Sequence, residues 1–535
     1  MLRISHCEHG SAPPAPPRRQ TVTAPPRLRQ AAALGACAGG MAVAAMLALR
    51  LVAGITSLLE VIGSGLALLL PGPWFGTLID ALQERGRPLL LLGTAVLVIV
   101  VGAVLGALVA PRLAAVGPGS PSAPVPSSSA SRWRWLVAAL VLWLLTQPLA
   151  LVAEGGFQVA AALITLGDWL LLCGLVEILV SLAPRGVSSS GVRGSASFST
   201  MSRRRFLAAL GGVLGAISLG YLGSRILGAH PPAVGLGQGA TAPGTLPEGV
   251  TPTADFYIVS KDLLGPPRID PGSWRLELTG IRSRTIGYPQ LMALPQRQQV
   301  ETLECISNPV GGTLISNGSW RGVQLNRLLA EVGIPRGTTT VIFRCADGYS
   351  ESLPLAEALA PSTLVATELN GSRLPPQHGF PARMLAPGHY GMKDPKWLTS
   401  ISTSPLPFSG YWEQQGWNPS ALPHIFSRFD FPPGNTRLRS QRAYLLTGVA
   451  YAGSQGVQRV EVSVDGGARW VPAHLQPQLS PYAWSVWSLP WQPGPGLYAL
   501  SVRAVDKQGR VQTATATGSY PNGASGREEI VVSVV

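Results

Sequence analysis

The sequence predicts three parts in chain order: an all-α transmembrane bundle, an α+β domain, and a C-terminal immunoglobulin-like β-sandwich. Long apolar runs fill the first 228 residues, whereas short alternating runs with turn residues between them dominate from residue 253 onward. Residues 229–252 repeat Gly, Pro, Thr and Ala, which is typical of a linker. The 535 residues also exceed what one hydrophobic core usually serves, so several folding units are expected.

The N-terminal part contains five apolar runs that are each long enough to cross a bilayer as a helix. A flexible cytoplasmic tail is expected before them, at 1–30, because that stretch is rich in Pro and Arg. Between the first two runs, Pro71 and Pro73 interrupt 56–82, which is therefore expected to be interfacial or re-entrant. The five predicted spans lie at about 31–55, 88–110, 135–153, 157–183 and 206–228.

The arginine distribution predicts how these spans are oriented. Residues 1–229 carry 17 Arg, no Lys and 7 acidic residues, which leaves 24 basic and 20 acidic residues for the remainder. Arginines gather in 111–134 and 184–205, two loops that five alternating spans place on the cytoplasmic side. The domains after residue 229 are then extracytoplasmic. Because the positive surplus flanks apolar runs, it does not indicate a nucleic-acid-binding face.

The last predicted span follows the residues Ser-Arg-Arg-Arg-Phe-Leu at 202–207. This motif resembles a twin-arginine export signal, an address for proteins that fold and load a cofactor before export. Ordinary positive-inside flanking is the alternative interpretation. Since no Ala-x-Ala cleavage site follows, the helix is expected to remain as an anchor.

Cys305 is the first candidate for chemistry, because a strand-like run leads into it and a Ser-Asn-Pro-Val-Gly-Gly loop follows. A thiolate is a soft, strongly donating metal ligand, and one suffices when an organic cofactor supplies the other donors. The alternative is a small buried hydrophobic residue. That alternative is preferred for Cys345, which lies inside a predicted strand.

A glycine-rich segment at 374–398 supplies the second candidate. His378, Arg383 and Lys396 punctuate backbone that can approach a ligand closely. Guanidinium and ammonium groups, together with exposed backbone N–H groups, satisfy a phosphate dianion. The segment therefore predicts a phosphate-binding loop.

Together these features resemble the sulfite oxidase family of molybdopterin enzymes, from about Phe256 to Val535. The loop of Cys305 resembles the family's molybdenum-ligand loop, and His-Gly-Phe-Pro-x-Arg through Lys-Trp-Leu resembles its pterin-phosphate segment. Residues 448–453, 460–467 and 502–506 resemble its C-terminal dimerisation domain. The resemblance implies a molybdopterin-binding catalytic domain at 253–410, a dimerisation-type sandwich at 411–535, and a possible homodimer.

The same resemblance implies roles for individual residues. Cys305 would bind molybdenum, and Trp320 and Trp417 would shape a less polar substrate pocket, although either aromatic can equally be a core or dimer contact. Asp347 would contact the cofactor, or would simply serve as a turn residue before Gly348. The remaining residues implied to hold the molybdopterin are Tyr257, Ile258, Val259, Ser260, Lys261, His378, Arg383, Asp394, Pro395 and Lys396.

Departures from the family pattern bear on the substrate. Val259 and Val310 stand where two arginines are expected, and Trp417 stands where a tyrosine is expected. An oxyanion such as sulfite needs cations in a desolvated pocket, so sulfite is a doubtful substrate. The resemblance thus implies two-electron oxo transfer on a small molecule that the sequence does not identify, with a reductase of sulfoxide-type compounds or a non-catalytic membrane-tethered scaffold as alternatives.

A separate electron-transfer protein is expected to exchange electrons with this chain. The chain has seven histidines, and none lies in a predicted span, so paired histidine ligands to a membrane haem are not expected. The expected cofactor is molybdenum-molybdopterin alone. The five cysteines show no zinc or disulfide spacing.

Overall fold

The computed structural model describes most of the N-terminal 228 residues and nearly all of the remainder. Described are residues 26–53, 57–70, 74, 77–78, 81–82, 85–114, 128–154, 159–181, 203–228, 246–262 and 265–535.

Six helices of the N-terminal part have described bounds. Three contain windows long and apolar enough to cross a membrane, at Leu28–Val52, Pro88–Leu108 and Ala162–Leu179, while the other three have shorter apolar stretches at Leu58–Ala67, Arg134–Pro148 and Leu210–Leu222. Crossing by all five predicted spans therefore stays a prediction. The helices are α1 (Pro26–Ala53), α2 (Leu58–Leu68), α3 (Gly86–Ala114), α4 (Ser128–Glu154), α5 (Val159–Ser181) and α6 (Arg203–Gly228).

One expected boundary in this part needs correction. Pro26 to Gln30 belong to α1 and not to a flexible tail, because proline is well placed in the first turn of a helix. The rest of the tail lies outside the described residues. The stretch 56–82 contains α2, whose 11 residues are too few to cross a bilayer and whose Leu58 and Leu59 are fully buried against the other helices.

Glycines let α1 and α3 approach each other closely. A Cβ added to Gly102 of α3 would lie 2.4 Å from the carbonyl oxygen of Gly35 in α1, and one added to Gly106 would lie 2.3 Å from that of Ala31. The pairing runs antiparallel, since higher numbers on one helix meet lower numbers on the other. Small residues spaced four apart are how membrane helices bring their backbones together.

We expect Gly102→Ala to destabilise the bundle by about 1–3 kcal/mol, because the added methyl group overlaps backbone that cannot move aside. Gly93→Ala on the same helix is the control, since nothing lies within 4 Å of its added Cβ. Thermal unfolding of the full chain in detergent measures both. Equal melting temperatures for the two variants would contradict the close packing of α1 on α3.

The α+β domain is built on two sheets. The first has strand order β2-β1-β10-β5-β6, in which β1 and β10 run parallel, and the second has β3-β4-β7-β8 with β9 paired to β7. Helix α8 packs on them through Leu325, Leu328, Leu329 and Val332, which share one helical face. The strands are β1 (Arg275–Thr279), β2 (Ser283–Gly287), β3 (Gln296–Glu304), β4 (Ile315–Gln324), β5 (Thr340–Cys345), β6 (Ser350–Pro354), β7 (Leu364–Leu369), β8 (Ser372–Arg373), β9 (Arg383–Leu385) and β10 (Leu398–Ser404), and the helices are α7 (Tyr288–Ala293), α8 (Leu325–Val332) and α9 (Leu355–Ala358).

Two more sheets form the C-terminal part, with orders β11-β13-β17-β16 and β12-β19-β18-β14-β15. They pack face to face around Leu446, Trp487, Val460 and Val502, which are all fully buried. The sheets agree with the predicted β-structure of the C-terminal part, while immunoglobulin-like topology stays a prediction. The strands are β11 (Phe426–Phe431), β12 (Arg437–Leu438), β13 (Tyr444–Tyr451), β14 (Val457–Ser463), β15 (Val471–Pro472), β16 (His474–Leu475), β17 (Ser485–Trp491), β18 (Gly496–Asp506) and β19 (Glu528–Val534).

The described end of the predicted linker is attached to both of the domains that follow it. The amide of Thr251 donates to the carbonyl of Asn317 at 2.8 Å, and the carbonyl of Gly249 accepts from Trp484 Nε1 at 3.1 Å. Residues 246–252 therefore correct the linker's expected C-terminal boundary, and residues 229–245 lie outside the described residues.

Candidate molybdopterin site

Strand β3 delivers Cys305 to a tight loop. The amide of Cys305 donates to the carbonyl of Leu314 at 2.9 Å, which closes the loop, and the Asn308 side chain bridges the Leu314 amide and the Glu304 carboxylate. The partly buried thiol lies 3.1 Å from Ser307 Oγ and forms no disulfide. The loop thus holds a thiol at the end of a strand, where it can reach a ligand.

The C-terminal part braces this loop. Arg428 Nη1 donates to the carbonyl of Gly312 at 3.0 Å, and Arg428 Nε pairs with Asp430 at 2.9 Å. Glu528 packs on Gly311, where an added Cβ would lie 2.6 Å from its Oε1. The sequence placed no functional residue here, because Arg428 and Glu528 lie more than 110 residues from the loop that they contact.

The brace gives a pH prediction. Burial raises the pKa of Glu528 to about 8, against a smaller opposing effect of the Phe429 amide and Arg428. The folded protein therefore binds this proton more tightly than the unfolded chain between the ordinary pKa of a glutamate and pH 8, so stability falls as pH rises through that window. We expect Glu528→Gln to remove up to about 1.4 kcal/mol per pH unit of that fall.

Thermal melting between pH 5 and pH 8 measures the slope, with Glu529→Gln as the control for losing a negative charge on the same strand. Glu529 is the residue after Glu528, and its side chain is exposed. Equal slopes for the two variants would contradict the assignment.

The glycine-rich segment forms the opposite wall of the site. A short 3-10 turn, Pro376–His378, buries His378, and the next residue, Gly379, has a φ of +109°. A Cβ on Gly379 would lie 3.0 Å from that of Arg383 and 3.1 Å from that of Lys396. Glycine is thus required here both by backbone conformation and by the close approach of two cationic side chains.

Arg383 and Lys396 tie the surrounding loops together. Arg383 donates to the carbonyls of His378 at 3.2 Å and Asp394 at 3.0 Å, and its guanidinium lies 5.2 Å from the ring of Trp320. Lys396 Nζ donates to the carbonyls of Val259 at 2.9 Å and Gln377 at 3.1 Å. The two cations therefore position the segments that the sequence assigned to the cofactor.

Two buried polar atoms in this wall have no hydrogen-bond partner within the described part of the chain. They are His378 Nε2 and Asp394 Oδ2, whereas Asp394 Oδ1 accepts from the amide of Ala386 at 2.7 Å. Burial lowers the pKa of His378 to about 4, and the nearby Arg383 lowers it further. Burial raises the pKa of Asp394 to about 7, and Arg383 opposes this rise. A neutral imidazole and a carboxyl oxygen are thus available to a bound group.

Tyr257 joins the two walls. Its hydroxyl would lie 2.8 Å from a Cβ added to Gly391. Burial raises the pKa of Tyr257 well above its usual range, the Cys305 thiolate raises it further, and Arg383 lowers it. The Cys305 loop and the glycine-rich segment therefore meet at Tyr257, which the sequence predicted to bind the cofactor.

The other predicted residues lie at varied distances from this meeting point. Trp417 is buried beside Ile306, the residue after Cys305, and its Nε1 has no partner within the described residues. Trp320 is fully buried and donates to the carbonyl of Glu301 at 3.3 Å, so it supports Arg383 from the core. Asp347 accepts from the amide of Tyr349 at 3.0 Å, as a turn residue does. Burial raises the pKa of Asp347, and Lys261 and Lys396 oppose this effect.

The remaining predicted residues include the segment that follows Tyr257. Ile258 is 48% exposed, Val259 offers its carbonyl to Lys396, and Ser260 Oγ accepts from the amide of Asp262 at 3.2 Å. Lys261 Nζ lies 5.5 Å from the ring of Tyr411. Pro395 offers its carbonyl to the amide of Met384 at 2.9 Å. The structure thus brings these residues to the edge of the site, and their contact with a cofactor stays a prediction.

A buried charge cluster next to the site was missed by sequence reasoning. Lys393 Nζ pairs with Glu351 at 2.9 Å and contacts Glu413 and the carbonyl of Ser352. Burial alone would lower the pKa of Lys393, but the two carboxylates outweigh this effect and raise it. The only sequence signal was an extra lysine in the glycine-rich segment, because its partners lie 42 and 20 residues away.

Comparison with known proteins decides the family. Residues 263–412 match the oxidoreductase molybdopterin binding domain, and residues 432–520 match the Mo-co oxidoreductase dimerisation domain. Sulfite oxidase of Gallus gallus is 30% identical over 314 residues, which cover 49% of this chain and 68% of the chicken protein. The chain belongs to the sulfite oxidase family. As a member it is a molybdopterin-dependent, sulfite oxidase-like oxidoreductase.

Further relatives share parts of the chain. Mitochondrial sulfite oxidase of Mus musculus is 30% identical over 325 residues, and the match spans 51% of this chain and 59% of the mouse protein's length. A putative protein-methionine-sulfoxide reductase subunit of Azospira oryzae is 36% identical over 152 residues, covering 28% of this chain and 56% of that protein. The sulfane dehydrogenase SoxCD of Paracoccus pantotrophus aligns with a TM-score of 0.48 at 22% identity, over 52% of this chain and 80% of that one.

The residues present fit a molybdopterin group. The available polar atoms, His378 Nε2 and Asp394 Oδ2, lie in the same wall as Arg383, and Tyr257 connects this wall to the Cys305 thiol. No cluster of three or more His, Cys, Asp or Glu suitable for a metal occurs among the described residues. One thiol beside an organic-ligand site agrees with a metal whose other donors come from the cofactor.

Proposed function

We propose that this chain is a membrane-anchored, extracytoplasmic molybdenum-pterin oxidoreductase that carries out two-electron oxo transfer on a small molecule other than sulfite. The observation that carries the proposal is a close approach at Gly391, where an added Cβ would lie 2.8 Å from the Tyr257 hydroxyl, 3.5 Å from the Glu304 carbonyl beside Cys305 and 4.0 Å from Asp394 Oδ2. That Asp394 oxygen, like His378 Nε2, has no hydrogen-bond partner within the described residues. A scaffold would not need buried polar atoms left for a ligand, since each costs free energy when unpaired.

In this proposal the chain binds and orients, and the cofactor supplies the redox change. A bound molybdenum-pterin group provides the two-electron chemistry of oxo transfer. Cys305 would hold the metal through its sulfur, His378 would offer Nε2 as a neutral imidazole, and Asp394 would offer Oδ2. Arg383 and Lys396 fix the loops around them through backbone carbonyls.

An apolar cluster next to Cys305 favours a substrate with little negative charge. Ile306, Tyr390, Met392 and Trp417 pack together there, and Trp417 stacks edge-to-face on Tyr520 with ring centroids 5.3 Å apart. With Val310 in the same loop, this wall contributes no cation to an oxyanion. Sulfoxide-type compounds fit such a wall better than sulfite, and the relative of Azospira oryzae agrees with that second candidate.

Helix directions support the proposed location. Gly40 of α1 lies by Gly215 of α6 and Cys37 lies by Gly211, so these two helices run parallel, as the first and last of five spans must. Both then end on one side of the membrane, which is the side opposite the arginine-rich segments 111–134 and 184–205. Exposed apolar side chains along α3 and α4, such as Val104 and Leu145, are the surface that a lipid bilayer covers.

The test is activity of the purified full chain with each substrate class. We expect turnover of a sulfoxide with a reduced dye to exceed turnover of sulfite with an oxidised dye by about tenfold or more, the scale for a missing charge partner in a pocket. A preference for sulfite would contradict the proposed substrate class, and no turnover of any oxo donor or acceptor by molybdenum-loaded protein would contradict the function.

A further inference from the structure

The C-terminal end of α1 contacts the catalytic domain through two arginines, one from the helix and one from the domain. Arg268 of the catalytic domain donates to the carbonyls of Leu51 and Val52, each at 2.5 Å. Arg50 of α1 donates to the carbonyl of Gly265 at 2.7 Å. We propose that Arg50 and Arg268, termed here the arginine clasp, dock the catalytic domain on the membrane bundle and thereby hold segment 257–262 in place.

Helix chemistry explains why Arg268 binds at this point. Leu51 and Val52 belong to the last turn of α1, whose carbonyls lack donors within the helix. The C-terminus of a helix also carries partial negative charge, so a guanidinium there gains both hydrogen bonds and a favourable dipole interaction. A planar, two-pronged donor satisfies two neighbouring carbonyls, which a lysine cannot do in the same geometry.

Arg50 is fixed from the bundle side by an acid. Its Nε lies 3.2 Å from the carboxylate of Glu60 at the start of α2, and both side chains are about 5% exposed. The Leu58 amide, at the same end of α2, donates to Asp168 of α5 at 2.8 Å. The clasp therefore rests on three helices that are linked to one another by charge and hydrogen bonds.

The clasp adjoins the segment that contributes Tyr257 and Lys261 to the site. Asp262, three residues before Gly265, has its pKa raised to about 7 by burial and then by Asp347 of the cofactor site, with smaller effects of Glu60 and Arg50 from the bundle. One residue thus lies within electrostatic reach of both the site and the bundle. Loosening the clasp removes one support of the segment, while the bond from Lys396 to the carbonyl of Val259 and the bond from the Tyr257 amide to Ser316 Oγ remain.

Hydrogen exchange of the full chain in nanodiscs tests the docking. We expect Arg268→Ala to speed exchange of amides in 257–262 by about tenfold or more, because two charge-assisted hydrogen bonds are lost. Arg282→Ala is the matched control, since exposed Arg282 also donates to a backbone carbonyl, that of Glu331, but away from the bundle. Arg50→Lys, which keeps a charge opposite Glu60, should give the same effect as Arg268→Ala.

A second readout is independent of any cofactor. With a protease site placed in 229–245, the cleaved parent should keep its catalytic domain on the membrane, and Arg268→Ala should release it. Parent-like exchange and retention in Arg268→Ala would overturn the clasp. The link to cofactor retention rests on the proposed function, and molybdenum loss on dilution should be faster in Arg268→Ala. A parent protein that never holds molybdenum would instead contradict the proposed function. The docking itself would still be tested by the hydrogen-exchange measurement.

Discussion

We expect Cys305→Ala to lower turnover by about a thousandfold or more, which is the usual effect of removing a central catalytic group. The reason is that no second thiol replaces it: Cys345 is buried in the core of the α+β domain, where burial raises its pKa well above the usual value. The fold should persist, because the loop is closed by backbone and Asn308 hydrogen bonds that do not use the sulfur.

Cys345→Ala is the control, because it removes a thiol from the same domain without touching the proposed ligand. Steady-state rates with dye and circular dichroism separate chemistry from folding. A folded Cys305→Ala protein that turns over at the parent's rate would refute the ligand assignment.

Lys393→Met should destabilise the catalytic domain by about 3–5 kcal/mol, the usual cost of leaving a buried charge without its partner. Lys393 is 4% exposed, and its loss leaves Glu351 and Glu413 facing each other. Burial already raises the pKa of Glu351 to about 8, with Lys393 opposing. Without the lysine, Glu351 must hold a proton to stay buried, so the loss of stability should be larger at pH 8 than at pH 5.

Thermal unfolding at both pH values measures this effect, with Lys507→Met as the exposed control. Adding Glu351→Gln and Glu413→Gln to Lys393→Met should recover much of the loss, because neutral amides tolerate burial without a cation. A Lys393→Met protein that melts with the Lys507→Met control at pH 8 would contradict the buried triad.

Local patterns predicted the elements well where periodicity was strong. The amphipathic pattern of 323–331 is typical of a helix, and α8 forms at Leu325–Val332, two residues later because Val323 and Gln324 extend β4. The strand leading into Cys305 was predicted from the same local signal and is β3. These elements depend on neighbours in sequence, which a single chain displays directly.

Contacts between distant residues were not predictable in this way. Arg268 reaches α1 across more than 210 residues, and Arg428 reaches the Cys305 loop across 116. Such arginines look like ordinary surface charges until the fold brings a carbonyl to them. Trp320 shows the converse, since a tryptophan near a predicted site can serve the core that supports the site.

The measurement that tests the account most directly is the molybdenum content of the full chain, purified from a host that makes the pterin, for the parent and for Cys305→Ala. The account predicts stoichiometric molybdenum in the parent and a marked loss in the variant, with both proteins folded. A correctly matured parent without molybdenum would contradict it.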